Sequence, residues 1–260
     1  MSRFVVCNGM YRSGSTLVYN IARELLELNF GDVELIESTP YCLRDSYGRF
    51  VITYPTPPPM LAKVHFYVLR GRQVDVMREA RFLFTYRNPL DIAASAQKRC
   101  TAQTGEWGEY IPDGWDRYED DYFDQLHWKP CLMIKYEEMI LDVPRVVCMV
   151  SNFLDLHVTL PEAREIARRH SAEVVKAHAD TMPNDTIKNI TNVRDHHISD
   201  DLGKPDTWRK HLSAATIRAC VAQCGRMMKH AGYEIPEVEP CTSSSLSATE
   251  CIEPDQPCPT

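Results

Sequence analysis

The chain has 260 residues, of which 44% are hydrophobic and 25% are charged, and its formal net charge is −7. This composition is typical of a globular α/β protein with a sizeable core, and the lack of a Lys/Arg run argues against a nucleic-acid partner. No apolar run approaches the roughly 20 residues that span a bilayer, and the first apolar stretch is too short for a signal peptide. We therefore expect a cytoplasmic protein with no membrane contact.

Strand and helix patterns alternate along the chain. Short apolar runs predict strands at residues 4–7, 33–36, 60–64, 81–86 and 131–135. Apolar residues at helical spacing predict helices at residues 16–28, from residue 88 onward, and at 143–156, 161–178 and 213–231. This alternation is typical of the α/β class, so the sequence predicts three αβα layers around a central, mostly parallel sheet of about five strands.

Composition divides the chain into one domain and a tail. Residues 1–235 carry all of the predicted elements, whereas residues 236–260 are rich in Pro, Ser, Thr and Glu, so we expect a disordered C-terminal tail. The ten cysteines are scattered and include no C-x-x-C pair. We expect reduced thiols in the core and no metal site.

A glycine-bounded loop, G-M-Y-R-S-G-S-T at residues 9–16, links the first predicted strand to the first predicted helix. Its spacing is that of the nucleotide-binding P-loop, G-x-x-x-x-G-K-[ST], in which backbone N–H groups and a helix N-terminus hold phosphate. Ser15 replaces the P-loop lysine, which argues against an ATPase or kinase. The predicted fold is therefore P-loop-like, and its phosphate-binding residues are Arg12, Ser13, Gly14, Ser15 and Thr16.

Three further polar segments accompany this loop, two of them at the ends of predicted strands. They are Lys63-Val64-His65, the run Y-R-N-P-L-D-I-A-A-S at residues 86–95, and L-G-K-P-D-T-W-R at residues 202–209. The carboxyl ends of parallel strands meet at one edge of a sheet, where α/β folds bind ligands. We therefore expect the loop and these segments to form one site.

In these motifs the chain resembles the sulfotransferases that use 3′-phosphoadenosine 5′-phosphosulfate (PAPS). That family has an [RK]-S-G-[ST]-[ST] loop, a K-x-H on a strand, an R-N-P-x-D-x-x-x-S segment, a Tyr-Glu pair and a late G-K-x-x-x-W-[RK] stretch. This sequence matches all five in the same order. The resemblance extends over residues 4–212.

The resemblance implies how the donor nucleotide is bound. The loop would hold the 5′-phosphosulfate, and Arg87 and Ser95 would bind the 3′-phosphate. Tyr136, Gly203 and Lys204 would complete the cofactor site.

The resemblance also implies the catalytic residues. Arg12 and Lys63 would neutralise the bridging oxygen as the bisphosphate leaves, and His65 would accept the proton of the acceptor. The transferred sulfuryl group carries less charge than a phosphoryl group, so no metal is needed.

Two positions depart from the cytosolic animal enzymes of the family. Leu17 follows Thr16, where many of those enzymes have a Trp that stacks on adenine, and Arg12 stands in place of their Lys. In its Arg12 the chain is more similar to the carbohydrate-type and bacterial branches.

The segment of residues 105–125 is dense in acids and aromatics. Lining a pocket, it would suit a positively charged small metabolite such as an amine or guanidinium compound as the acceptor. It could equally form a solvated acidic helix whose aromatics face the core, or a surface for homodimerisation.

Two alternative functions stay open from the residues alone. One is a kinase-like P-loop transferase that uses ATP, which Ser15 opposes. The other is a non-catalytic nucleotide-binding protein, which would need neither Lys63 nor His65 beside the transferred group.

Overall fold

The computed structural model of the protein describes residues 4–36, 59–63, 80–104, 117–127, 130–181 and 203–237. The predicted base His65, residues 105–116 of the acidic segment and residues 238–260 lie outside these ranges. The boundary between the domain and the C-terminal tail therefore stays a prediction.

Five strands form one sheet: β1 (Phe4–Gly9), β2 (Glu34–Ile36), β3 (Met60–Lys63), β4 (Arg81–Tyr86) and β5 (Cys131–Lys135). Their order across the sheet is β2-β3-β1-β4-β5, and every neighbouring pair is parallel. In the centre, Cys7 of β1 pairs with Lys63 of β3 and with Leu83 of β4. Both faces of β1 are covered, which explains why all six of its residues are buried instead of alternating. The predicted parallel sheet is confirmed.

Nine helices lie in the described ranges. They are α1 (Ser15–Phe30), α2 (Pro89–Thr104), α3 (Arg117–His127), α4 (Tyr136–Leu141), α5 (Val143–Phe153), α6 (Leu160–Arg169), α7 (Ala172–Thr181), α8 (Trp208–His211) and α9 (Ala214–His230).

Alternate residues of the strands point to opposite faces of the sheet and pack in separate cores. Leu83 of β4 packs in the core that α1, α5 and α6 cover. Its neighbour Phe84 packs in the other core, with side chains of α2, α3 and α9. The helices therefore form two layers around the sheet, as the sequence predicts.

The single helix predicted over residues 161–178 is two helices, α6 and α7. His170 ends α6 by donating its backbone N–H to the carbonyl oxygen of Ile166 at 3.2 Å. The hydroxyl of Ser171 then accepts a hydrogen bond from the backbone N–H of Val174 at 3.3 Å, and so caps the start of α7. A serine inside an apolar period can thus restart a helix.

The described half of the acidic segment is helix α3. Tyr118 and Tyr122 are buried in the core beneath α3, whereas Asp120 and Asp124 are exposed. For this half, the structure agrees with tyrosines that face the core, but the acids are only partly solvated because Asp121 is buried. The aromatics of α3 are therefore packing residues, and an acceptor pocket would have to draw on residues 105–116.

Cys7, Cys220 and Cys224 are buried free thiols, as expected from the scattered cysteines. Burial raises the pKa of Cys220 and of Cys224 to about 12, so both remain protonated and unreactive. Across the described ranges, no helix has the length and apolar character that a membrane crossing requires.

An ion-pair cluster ties α1 to the end of α6. The carboxylate of Glu24 lies 2.7 Å from Nε2 of His170 and accepts a hydrogen bond from Nε of Arg169 at 3.1 Å. Burial alone would raise the pKa of Glu24, but these two partners together bring it below its ordinary value. A carboxyl whose pKa is lower in the folded state stabilises the fold once it is ionised.

We expect Glu24→Gln to lower the free energy of unfolding at pH 7 by about 0.5–1 kcal/mol. Because the folded-state pKa is lowered, the contribution is complete above the unfolded pKa of about 4.3 and disappears as the pH falls through the folded value. Urea unfolding at a series of pH values measures this. The exposed Glu173→Gln serves as control, and a difference that stays constant with pH would contradict the assignment.

Candidate nucleotide-binding site

Two residues of the loop between β1 and α1 have a left-handed backbone conformation. Arg12 has a φ of 62° and Gly14 a φ of 82°. A left-handed arginine is strained, and such strain is concentrated at functional sites. The loop leads directly to the N-terminus of α1, where first-turn N–H groups and the positive end of the helix dipole favour an anion.

Ser13 anchors the loop to β4. Its hydroxyl donates to the carbonyl oxygen of Met10 at 2.6 Å and lies 2.7 Å from the hydroxyl of Thr85, and its backbone N–H also donates to Met10. At Gly9, a Cβ atom would lie 2.0 Å from the Thr85 hydroxyl, so only glycine allows this approach. The sequence predicts Ser13 as a phosphate donor, whereas both of its donors are used here within the protein.

Gly14 brings the loop onto α4. A Cβ atom at this position would lie 2.3 Å from Cε of Met139 and 3.0 Å from the ring of Tyr136. The missing side chain therefore lets the N-terminus of α1 lie directly against the start of α4.

Two cationic side chains make hydrogen bonds at the loop, one from β3 and one from the loop itself. Nζ of Lys63, at the end of β3, donates to the hydroxyl of Thr16 at 2.6 Å. Nε of Arg12 donates to the hydroxyl of Ser95 in α2 at 2.9 Å. Four of the predicted site residues are thus joined in pairs around the start of α1.

Arg87 lies at the centre of the site and is only 4% exposed. Its two terminal nitrogens donate to the carbonyl oxygens of Arg12 at 3.1 Å and Gly203 at 3.2 Å. The guanidinium stacks 4.1 Å from the ring centre of Tyr136. Its Nε is buried and has no hydrogen-bond partner in the described part of the chain. A buried cation with a donor to spare is a suitable binding group for an anion.

Tyr136 and Gly203 close one side of the site. The phenol donates to the carbonyl oxygen of Gly203 at 2.9 Å, and a Cβ atom on Gly203 would lie 2.0 Å from the same phenol oxygen. Burial raises the pKa of Tyr136, and the charges of Arg87 and Arg12 only partly offset this, so the phenol stays protonated and remains a donor. Lys204 follows as an exposed residue.

Asp91 holds the segment that carries Gly203. Its buried carboxylate accepts hydrogen bonds from the backbone N–H of Asp206 at 2.8 Å, the hydroxyl of Thr207 at 3.2 Å and the backbone N–H of Trp208 at 3.2 Å. The sequence places Asp91 at a helix start but does not reveal this role. The side chain of Trp208 is buried in the core and is therefore a packing residue.

The structure brings most of the predicted site residues into one connected set. Its members are Arg12, Ser13, Gly14, Ser15, Thr16, Lys63, Arg87, Ser95, Tyr136 and Gly203. His65 lies outside the described residues. Among the residues that the structure describes, no cluster of His, Cys, Asp and Glu could hold a metal ion.

We expect Gly14→Ala to lower the free energy of unfolding by about 2–4 kcal/mol, because a left-handed alanine is strained and its Cβ overlaps Met139. Gly31→Ala is the matched control, since Gly31 has a φ of 79° and no atom within 4 Å of a Cβ. Urea unfolding of both variants measures the difference. Equal losses would mean that backbone strain alone is responsible and that the contact with α4 is unimportant.

The chain is similar to known proteins in sequence and in fold. Bovine (Bos taurus) sulfotransferase 1A1 is 24% identical over 231 residues, which cover 78% of this chain and 76% of the relative. A solved structure of a mouse sulfotransferase complexed with 3′-phosphoadenosine 5′-phosphate (PAP), the product of PAPS, has a TM-score of 0.64 at 17% identity and covers 88% of this chain and 86% of that chain.

A second solved structure, retinol dehydratase in complex with retinol and PAP, has a TM-score of 0.61 at 12% identity and covers 90% of this chain and 84% of that chain. These likenesses confirm the predicted P-loop-like fold. The sequence model of the sulfotransferase domain matches residues 3–232, nearly the whole length described above. The chain therefore belongs to the sulfotransferase domain family and is an enzyme that uses PAPS as its sulfuryl donor.

Proposed function

We propose that this enzyme binds PAPS at the site around Arg87 and transfers the sulfuryl group to a hydroxyl or amine of a small-molecule acceptor. The observation that carries the proposal is the buried guanidinium of Arg87, which has an unpaired Nε among the described residues and lies beside the helix-start loop. PAPS offers two anionic ends, and the site offers two groups of anion-binding donors.

The first group suits the 3′-phosphate. Arg87 directly follows β4, and Ser95 lies in α2, the next helix. The ring of Tyr136 holds the guanidinium plane in place from one side. Fixing this plane in advance favours a forked contact with two phosphate oxygens. Gly203 and Lys204 complete this end of the site.

The second group suits the 5′-phosphosulfate. Gly14 is the N-cap of α1 and Ser15 and Thr16 are its first residues, so their backbone N–H groups lie at a helix N-terminus. Lys63 already reaches the hydroxyl of Thr16 at 2.6 Å. A cation therefore lies beside the N-terminus of α1, where the 5′-phosphosulfate would bind.

In catalysis, PAPS supplies the sulfuryl group. Lys63 and Arg12 stabilise the negative charge that the departing bisphosphate retains, and His65 accepts the proton that the acceptor loses. Ser15 stands at the position where a P-loop kinase has lysine, in keeping with a donor other than ATP.

The acceptor is proposed to be a positively charged small metabolite. Support comes from the acids and aromatics that the sequence carries at residues 105–116, just before α3. In two similar solved structures, both of retinol dehydratase, the bound ligands are retinol and androsterone. A charged acceptor would distinguish this chain from them.

A cytoplasmic location is proposed because the buried thiols of Cys7, Cys220 and Cys224 are free, as in reducing compartments. The homodimer considered for the acidic segment stays a prediction.

The first test is nucleotide binding by Arg87→Lys, which keeps the charge but loses the guanidinium fork. We expect PAP to bind about 10- to 100-fold more weakly to the variant, because a charged hydrogen bond contributes about 1.5–3 kcal/mol. Binding of adenosine 5′-phosphate, which lacks the 3′-phosphate, should change by less than about threefold. Isothermal titration calorimetry measures both affinities.

The matched control is Arg226→Lys, because Arg226 is an exposed arginine of α9 with 79% of its side-chain surface accessible. We expect its nucleotide affinities to equal those of the wild type. A wild-type preference for ATP–Mg over PAP, or an unchanged PAP affinity in Arg87→Lys, would overturn the proposed nucleotide site.

The second test addresses the acceptor side. Turnover of PAPS is followed with a panel of phenols, alcohols, amines and guanidinium compounds, and we expect the cationic members to give the highest rate. With the best acceptor, His65→Ala should lower kcat by about 10²- to 10⁴-fold, the usual contribution of a general base, while PAP affinity is unchanged. A His65→Ala enzyme of wild-type rate would remove His65 from the mechanism.

A further inference from the structure

A hydrogen-bond chain connects Tyr233, which follows α9, to the peptide that follows Arg87. Oε1 of Glu137 accepts a hydrogen bond from the backbone N–H of Asn88 at 2.9 Å, and Oε2 accepts one from the phenol of Tyr233 at 2.8 Å. Both oxygens of one partly buried carboxylate are therefore used. The sequence motifs include Glu137 but assign it no role, and they do not include Tyr233.

The Asn88 end of this chain fixes the start of α2. The side-chain oxygen of Asn88 accepts from the backbone N–H of Leu90 at 3.0 Å, which caps the helix. The backbone N–H of Asn88 itself points out of the helix start, where no intrahelical partner exists. Glu137 supplies that partner, so it sets the direction in which the preceding residue, Arg87, leaves the strand.

The Tyr233 end is anchored by the termination of α9. Gly232 has a φ of 72°, and the backbone N–H of Tyr233 donates to the carbonyl oxygen of Met228 at 2.8 Å, the pattern of a Schellman cap. Nζ of Lys135 lies 4.3 Å from the centre of the Tyr233 ring and donates to the carbonyl oxygen of Ala231 at 2.9 Å. The phenol is thus held in place independently of Glu137.

The phenol of Tyr233 also keeps its proton. Burial raises the pKa of Tyr233, and the adjacent carboxylate of Glu137 raises it further. Tyr233 is therefore a permanent donor at physiological pH. Glu137 lies between two donors, the phenol and the Asn88 N–H, and each of its carboxylate oxygens accepts a hydrogen bond from one of them.

Tyr136, next in the chain to Glu137, stacks on the Arg87 guanidinium itself. The pair therefore holds Arg87 at two points, the head group through Tyr136 and the adjoining peptide through Glu137. We propose that Glu137 and Tyr233 are positioning residues for recognition of the 3′-phosphate, acting through the placement of Arg87. This inference rests on the proposed role of Arg87, and neither residue is proposed to contact the nucleotide.

The test is the ratio of the affinities for PAP and adenosine 5′-phosphate in Tyr233→Phe, which removes the hydroxyl and keeps the ring on Lys135. We expect PAP to bind about 3- to 10-fold more weakly, the value of one hydrogen bond, and adenosine 5′-phosphate to change by less than about twofold. A general loss of stability would lower both affinities together, so the ratio separates positioning from folding.

Tyr122→Phe is the matched control. Its phenol lies 3.0 Å from Nδ1 of His230, so the variant loses a hydrogen bond that involves none of Glu137, Asn88 and Tyr233. We expect its affinity ratio to equal that of the wild type.

Glu137→Gln provides a second arm, because it keeps the shape of the side chain but removes the charge that strengthens both hydrogen bonds. We expect it to lower the ratio about 3- to 10-fold as well. In the double variant with Tyr233→Phe, both changes act on the same hydrogen-bond chain to Arg87. The two losses should therefore be less than additive.

The outcomes separate the two proposals. If the wild type prefers PAP to adenosine 5′-phosphate but Tyr233→Phe and Glu137→Gln keep the full preference, the positioning role is overturned and the nucleotide site stands. If the wild type shows no preference for PAP, the site proposed for the 3′-phosphate fails and the positioning role fails with it. Losses that simply add in the double variant would also overturn it.

Discussion

The rest of the site depends on one buried cation, the guanidinium of Arg87. Removing such a charge from water costs several kcal/mol unless other groups compensate, and its described partners are two carbonyl oxygens and one aromatic ring. These partners hold the charge without neutralising it. An anion that binds beside Arg87 therefore meets a cation that is already partly desolvated and fixed in orientation, and both features strengthen the attraction.

Close backbone approach makes this arrangement possible. Gly9, Gly14 and Gly203 each face an atom that a Cβ would reach at between 2.0 and 2.3 Å. Each of these glycines lies where the backbone meets a side chain from another segment, namely Thr85 of β4, Met139 of α4 and Tyr136 of α4. The loop, the strand edge and the 203–208 turn can therefore pack closely around Arg87.

The sequence predicts the frame of the site better than its internal contacts. All five strands and the loop could be located, because apolar runs and glycine spacing are local properties. The partners of Asp91 could not be predicted, because its carboxylate oxygens accept hydrogen bonds from backbone N–H groups that lie 115 and 117 residues further along the chain. Ser13 illustrates the same limit, because its hydroxyl looks available to phosphate until β4 brings Thr85 within 2.7 Å. The break between α6 and α7 could not be predicted either, because it depends on a hydrogen bond between the Ser171 hydroxyl and the backbone N–H of Val174.

The contacts that complete the site span most of the chain. Arg12 binds a serine 83 residues away, and Arg87 binds a carbonyl 116 residues away. Such non-local pairing forms slowly, as parallel sheets generally do. A ribosome-bound chain that ends before residue 203 lacks one of the two carbonyls that receive the guanidinium, whatever the state of its sheet. The guanidinium therefore gains both of its described carbonyl partners only after residue 203 has been synthesised, late in the growth of the chain.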